Sequence, residues 1–151
     1  MATFGEGATP QPMELANWAE GDDDARRFFS GIALYETTFE WDGDAESRKR
    51  AWLDLGRVAD VAEVTVNGKT CGIAWTPPYR VEVTDALREG HNELRVAVAN
   101  TWHNRLVGDV RLAEAERTTW TTAPSPDRRA KLLEAGLLGP VVLYRGSVKS
   151  E

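Results

Sequence analysis

Residues 61–74 read VAEVTVNGKTCGIA, and the fold is decided in this stretch. Ala62, Val64 and Val66 fall on one face while Glu63 and Thr65 fall on the other, the period-two pattern of a strand with one side buried. Asn67-Gly68 follows, a pair that tolerates positive φ at both central positions of a type I′ turn. The chain must therefore double back into a tight antiparallel hairpin, with Lys69 to Trp75 as its second arm.

The same alternation continues on both sides of the hairpin. In GIALYETTFEW (31–41), Ala33, Tyr35, Phe39 and Trp41 share a face; in PYRVEV (78–83), Tyr79, Val81 and Val83 do; in ELRVAVAN (93–100), Leu94, Val96 and Val98 do. Strands are expected over 31–41, 50–56, 61–67, 69–75, 78–84, 93–100 and 138–146, with a short one near Ala2 to Gly5. Seven or eight short strands separated by turn signals predict an all-β sandwich or jelly roll. Helix is confined to connections: one turn in LANWAEG (15–21), a capped turn in TDALREG (84–90) led by Thr84 or Asp85 and closed by Gly90, and two turns in SPDRRAKLLEAG (125–136). The alternation assigns Trp41 and Trp52 to the core, and Trp18 to a terminal turn packed on the sandwich.

Composition narrows the functional classes. The 151 residues are 42% hydrophobic and 28% charged, a globular composition for one domain spanning 1–151. A net charge of -6 is unlike the basic face that phosphate neutralisation requires, so nucleic acid is not an expected partner. No apolar run reaches the ~20 residues of a membrane span, and the opening MATFGEGATPQPMELANW has no basic stretch followed by an apolar core, so no signal peptide is read in it. The single Cys71 excludes an internal disulfide and fits a small buried or edge residue better than an activated thiol. His91 and His103, the two histidines, lack zinc-ligand spacing.

Six tryptophans are the unusual count. The segment 101–137 is long for a connection, and such loops are often functional. Within it, Trp102-His103-Asn104-Arg105 sets an aromatic ring beside an amide and a guanidinium, with Asp109 and Trp120 following. Trp75 and Tyr79 flank Pro77-Pro78 upstream. A sugar offers apolar C–H faces rimmed by hydroxyls, so Trp75, Tyr79, Trp102 and Trp120 as platforms, with Asn104, Arg105 and Asp109 as hydrogen-bonding groups, form the candidate ligand-binding set. Two structural readings stand beside it: the aromatics pack, and Arg105 pairs with Asp109 to stiffen the loop. Asp54, Glu63, Glu82 and Asp109 are the carboxylates from which a hydrolytic pair would be drawn, although alternation places them on solvated faces or in loops.

Three runs taken in order, FFSGIALYETTFEW (28–41), the long stretch from Trp52 to Asp109 and EAGLLGPVVLYRG (134–146), resemble the galactose-binding-like β-sandwich that accompanies glycoside hydrolases, closest to those of family 2 and of the family 106 α-L-rhamnosidases. The resemblance covers about residues 28–146. It implies a jelly roll of two antiparallel sheets without catalytic residues of its own, with residues 1–27 as an extension packed on it. It implies an oligosaccharide or polysaccharide as ligand, or docking on a catalytic glycosidase domain without independent sugar affinity; a small hydrolase using a carboxylate pair is the weaker alternative. A secreted or periplasmic setting is implied as well. No cofactor is expected beyond a structural calcium, for which Gly21-Asp22-Asp23-Asp24 or Asp42-Gly43-Asp44 would supply oxygen ligands. The family's first strand is longer than MATFGEG, which leaves that sheet edge to be completed differently.

Overall fold

The computed structural model describes residues 1–4, 14–42 and 50–146. Among them, ten strands form a sandwich: β1 (Ala2–Phe4), β2 (Gly31–Trp41), β3 (Ala51–Asp54), β4 (Arg57–Val58), β5 (Val61–Val66), β6 (Lys69–Ala74), β7 (Arg80–Glu82), β8 (Gly90–Asn100), β9 (Leu137–Gly139) and β10 (Val142–Arg145). One sheet has the order β1-β2-β8-β5-β6 and the facing sheet β10-β3-β7, all antiparallel, while β4 and β9 form a separate pair. The all-β, two-sheet architecture expected from the alternation is present.

The central hairpin is built as read. Asn67 and Gly68 have φ of 51° and 78°, the paired positive values of a type I′ turn. Asn67 also locks the turn in place: its Nδ2 donates to the Ala86 carbonyl and to Asn92 Oδ1, each at 2.8 Å, and its Oδ1 accepts from Glu93 N at 3.0 Å. Asn92, fully buried, answers with Nδ2 bonds of 2.8 Å to the carbonyls of Arg88 and Gly90, so its polar groups are matched inside the protein.

The core lies between the sheets. Leu55, Val64, Val66, Val83, Val96 and Val98 are fully buried, and removing each such side chain from water contributes about 1.5–3 kcal/mol. Trp18 closes one end: its ring stacks on Tyr35 at 6.1 Å between centroids and meets Phe29 edge-on at 5.9 Å. The buried Tyr35 hydroxyl accepts from Leu137 N at 3.0 Å, tying β2 to β9.

Several local expectations are corrected. The 50–56 and 138–146 strands are each interrupted, giving β3 and β4, and β9 and β10. Thr84 does not cap its 3₁₀ turn; Val83 holds that position, and the Thr84 hydroxyl instead accepts from Ala51 N at 2.9 Å, bracing β3. No helix forms in residues 125–136. Helix appears in the long loop, as α2 (His103–Asp109), and in a short α1 (Asp24–Arg27). Trp52 is not in the core: Leu53 pairs with Leu143 and Val81 on the inner face, which turns Trp52 to the outer face with Tyr144 and Glu82.

Candidate functional site

The helix α2 organises the long loop. Val107 and Gly108, three and four residues after Asn104, face inward with it. Gly108 permits the close approach, since a Cβ there would stand 2.7 Å from Phe28 Cγ.

Polar side chains on α2 then bind the loop at both ends. Asn104, 4% exposed, donates from Nδ2 to the Leu133 carbonyl and accepts from Leu133 N at Oδ1, both at 2.8 Å. Asp109, 3% exposed, accepts from Arg105 Nη2 at 2.6 Å and from Thr119 N at 2.8 Å, with the Thr119 hydroxyl as a third donor. His103 Nε2 donates to the Lys131 carbonyl at 2.9 Å, and Arg128 Nη2 to the Arg111 carbonyl at 3.0 Å. Burial pushes the Asp109 carboxyl upward, but the Thr119 hydrogen bonds and the Arg105 charge outweigh it and hold the group below the usual carboxylate range.

This clasp explains why 125–136 is not helical. Leu133 is held by Asn104, and Asp127 makes its own turn, with Ala130 N donating to its carbonyl at 2.9 Å. Pairing of Arg105 with Asp109 is observed, together with a partner, Thr119, that no sequence pattern marks.

The aromatic members of the candidate set point outward: Trp75 is 70%, Trp102 62% and Trp120 81% exposed. Tyr79 is half-buried against the core, and its carbonyl accepts from Leu55 N at 2.9 Å. The rings do not converge on one hollow. A concavity of about 310 Å³ is lined by Trp120, Asp109, Thr119, Glu114, Arg117 and Ser125, and Trp75, Tyr79, Trp102, Asn104 and Arg105 do not line it. The candidate set is therefore split into a buried polar clasp and separate exposed rings.

Most of the other candidate carboxylates are tied to basic side chains. Asp54 accepts from Arg80 Nε at 2.6 Å, and Glu82 lies 3.7 Å from Arg50, both on the three-stranded sheet, while Glu63 is on the five-stranded sheet. Asp23 caps α1 and pairs with Arg26 at 3.1 Å, Asp24 pairs with Arg27 at 2.9 Å, and Asp42 pairs with Arg145. Gly43 and Asp44 lie outside the described residues. Among the described residues, no helix is long and apolar enough to cross a membrane.

With this geometry in view, comparison with known proteins is direct. Residues 17–132 match the family described as glycosyl hydrolase 2 galactose-binding domain-like, and the chain belongs to that family. A Formosa agariphila protein named "Putative beta-glucuronidase" is 36% identical over 85% of this chain and 13% of its own length. The rhamnosidase of Novosphingobium sp. PP1Y is 40% identical with a TM-score of 0.86, over 94% of this chain and 14% of its own. A β-glucuronidase of Bifidobacterium dentium, solved with coumarin-3-O-glucuronide, is 26% identical with a TM-score of 0.52, over 63% of this chain and 16% of its own. The chain thus spans about one seventh of the length of the relatives it matches.

Proposed function

We propose that this domain serves as a non-catalytic accessory sandwich of a glycoside hydrolase, and that the face formed by α2 and the loop up to Leu133 docks on a catalytic domain instead of holding a sugar by itself. The observation that carries this reading is the fate of the polar groups. Asn104 and Asp109, which a sugar would need, are buried and committed to the loop, whereas Trp102, Trp120 and Leu133 are left exposed. Exposed rings whose expected partners Asn104 and Asp109 are committed elsewhere suit a protein surface better than a hydroxyl-rich ligand. The catalytic domain is the chosen occupant because two matched relatives, a rhamnosidase and a putative β-glucuronidase by name, are about seven times longer than this chain.

Amide hydrogen exchange tests the docking. Loop 110–135 of the 151-residue chain is expected to exchange faster than the matching segment of the Novosphingobium rhamnosidase, where docking would have the remaining chain cover it. Equal protection in the two proteins contradicts docking.

A second reading has one observation in its favour. The hollow beside Trp120 sets an exposed ring next to Arg117, Glu114, Thr121 and Ser125, groups able to meet hydroxyls. On that reading, titration with rhamnose- or galactose-containing oligosaccharides quenches tryptophan fluorescence at millimolar concentration, and Trp120→Ala abolishes the response while Trp102→Ala does not.

A further inference from the structure

The outer face of the three-stranded sheet carries a second aromatic and polar assembly, remote in sequence from α2. Cross-strand register aligns two rows on it: Tyr144, Trp52 and Glu82, then Val142, Asp54 and Arg80. With strands about 4.8 Å apart and like-facing residues about 6.8 Å apart along a strand, the rows span roughly 10 by 7 Å, the footprint of one pyranose ring with its hydroxyls. Tyr144 is 45% exposed and Val142 37%, so the platform has apolar surface open to solvent.

The polar groups on it are held in position. Asp54 is fixed by Arg80 at 2.6 Å and by Gly56 N at 2.8 Å; Glu82 is fixed by the Thr84 hydroxyl at 3.1 Å; Arg80 sits 5.8 Å from the centre of the Tyr144 ring. On the central strand, the buried indole N–H of Trp52 has no acceptor among the described residues. A buried donor left unmatched is costly, and a ligand oxygen reaching it would relieve that cost.

We infer that this face is a binding platform for a neutral glycan, with the sugar's C–H face on Tyr144 and Trp52 and its hydroxyls on Arg80, which Asp54 holds in place, and Glu82. Neutrality follows from charge: Arg80 with Asp54 and Arg50 with Glu82 balance one another, which leaves no free cation on these rows among the described residues to select a uronate or sulfate. Ring stacking on an aromatic provides the apolar contact, and the anchored carboxylates and guanidinium give orientation. The platform is independent of the docking assigned to the α2 face.

Affinity electrophoresis of the 151-residue chain in gels containing galactomannan or xyloglucan, with polygalacturonate as the acidic control, tests the inference. Retardation is expected in the neutral gels only. Tyr144→Ala should weaken it about tenfold, as loss of one stacked ring implies. Trp52→Phe, which keeps a ring and removes the N–H, should weaken it several-fold, and Trp120→Ala should leave it unchanged. No retardation in either neutral gel, equal retardation by polygalacturonate, or insensitivity to both Tyr144→Ala and Glu82→Gln in variants with native circular dichroism overturns the platform.

Discussion

Asn104 and Leu133, twenty-nine residues apart, form a reciprocal pair in which the side-chain amide supplies both the donor and the acceptor that the Leu133 backbone needs, each at 2.8 Å. The pair fastens the far end of the loop to α2, as Asp109 and Thr119 fasten the near end. The exposed rings are thereby carried on a stiff support.

Replacing Asn104 with Ala should leave the part-buried Leu133 N–H and carbonyl without their partner and cost about 1 kcal/mol. Urea denaturation measures that cost. Limited proteolysis should show new cleavage between residues 110 and 135, where Arg111, Arg117, Arg128, Arg129 and Lys131 offer five tryptic sites. Unchanged stability would mean that the clasp does not hold the loop.

Asp109 links stability to acid. Its carboxyl is depressed in the folded state relative to the unfolded chain, so its stabilisation is complete above the unfolded value of 3.8 and lost as pH falls through the lower folded value. Denaturation midpoints should drop below about pH 4, and Asp109→Asn should flatten that acid limb while lowering stability at pH 7. A parallel acid limb in the variant would assign the dependence to other carboxylates.

At the alkaline end, burial is the main reason that the Tyr35 hydroxyl is pushed up to about 12 from 10.0. A raised folded value means that stability is intact below pH 10 and declines as pH rises toward 12. Tyr35→Phe should remove that decline and, by stranding Leu137 N–H, cost about 1–2 kcal/mol at neutral pH. Ultraviolet titration at 295 nm, the absorbance of tyrosinate, follows the ionisation directly.

Gly136 is required by its neighbours. It has φ of +96°, and a Cβ there would lie 2.5 Å from Trp18 Cε2. Gly136→Ala combines a left-handed conformation with overpacking and should destabilise by about 3 kcal/mol, with a shifted Trp18 emission. Wild-type stability in the variant would contradict the packing of Trp18 under β9.

Much of the sandwich was legible because it depends on local pattern. Asn67-Gly68 dictates its turn whatever surrounds it, and the alternation in 31–41 and 93–100 recurs as the two longest strands. Trp52 was misread because a four-residue strand alternates equally well in either orientation, and the inner side was settled only by Leu143 and Val81 on other strands. The α2 helix lacked a start signal, since Trp102 occupies its cap without a side-chain bond, and the helical periodicity of 125–136 was overridden by the distant Asn104. At the candidate site, residue types identified Arg105 and Asp109 as a pair, but Thr119 and the outward rotation of the rings depend on how the loop closes.

The central claim, that the polar side chains of α2 serve the loop while Trp102 and Trp120 face another protein surface, is tested most directly by the indole N–H signals of the six tryptophans, assigned by Trp→Phe variants and followed during titration with rhamnose, galactose and glucuronate oligosaccharides. The account predicts that the Trp102 and Trp120 signals keep their positions to millimolar sugar. Saturable movement of either signal, abolished by Trp120→Ala or Asp109→Asn, would contradict it and make this face a sugar site.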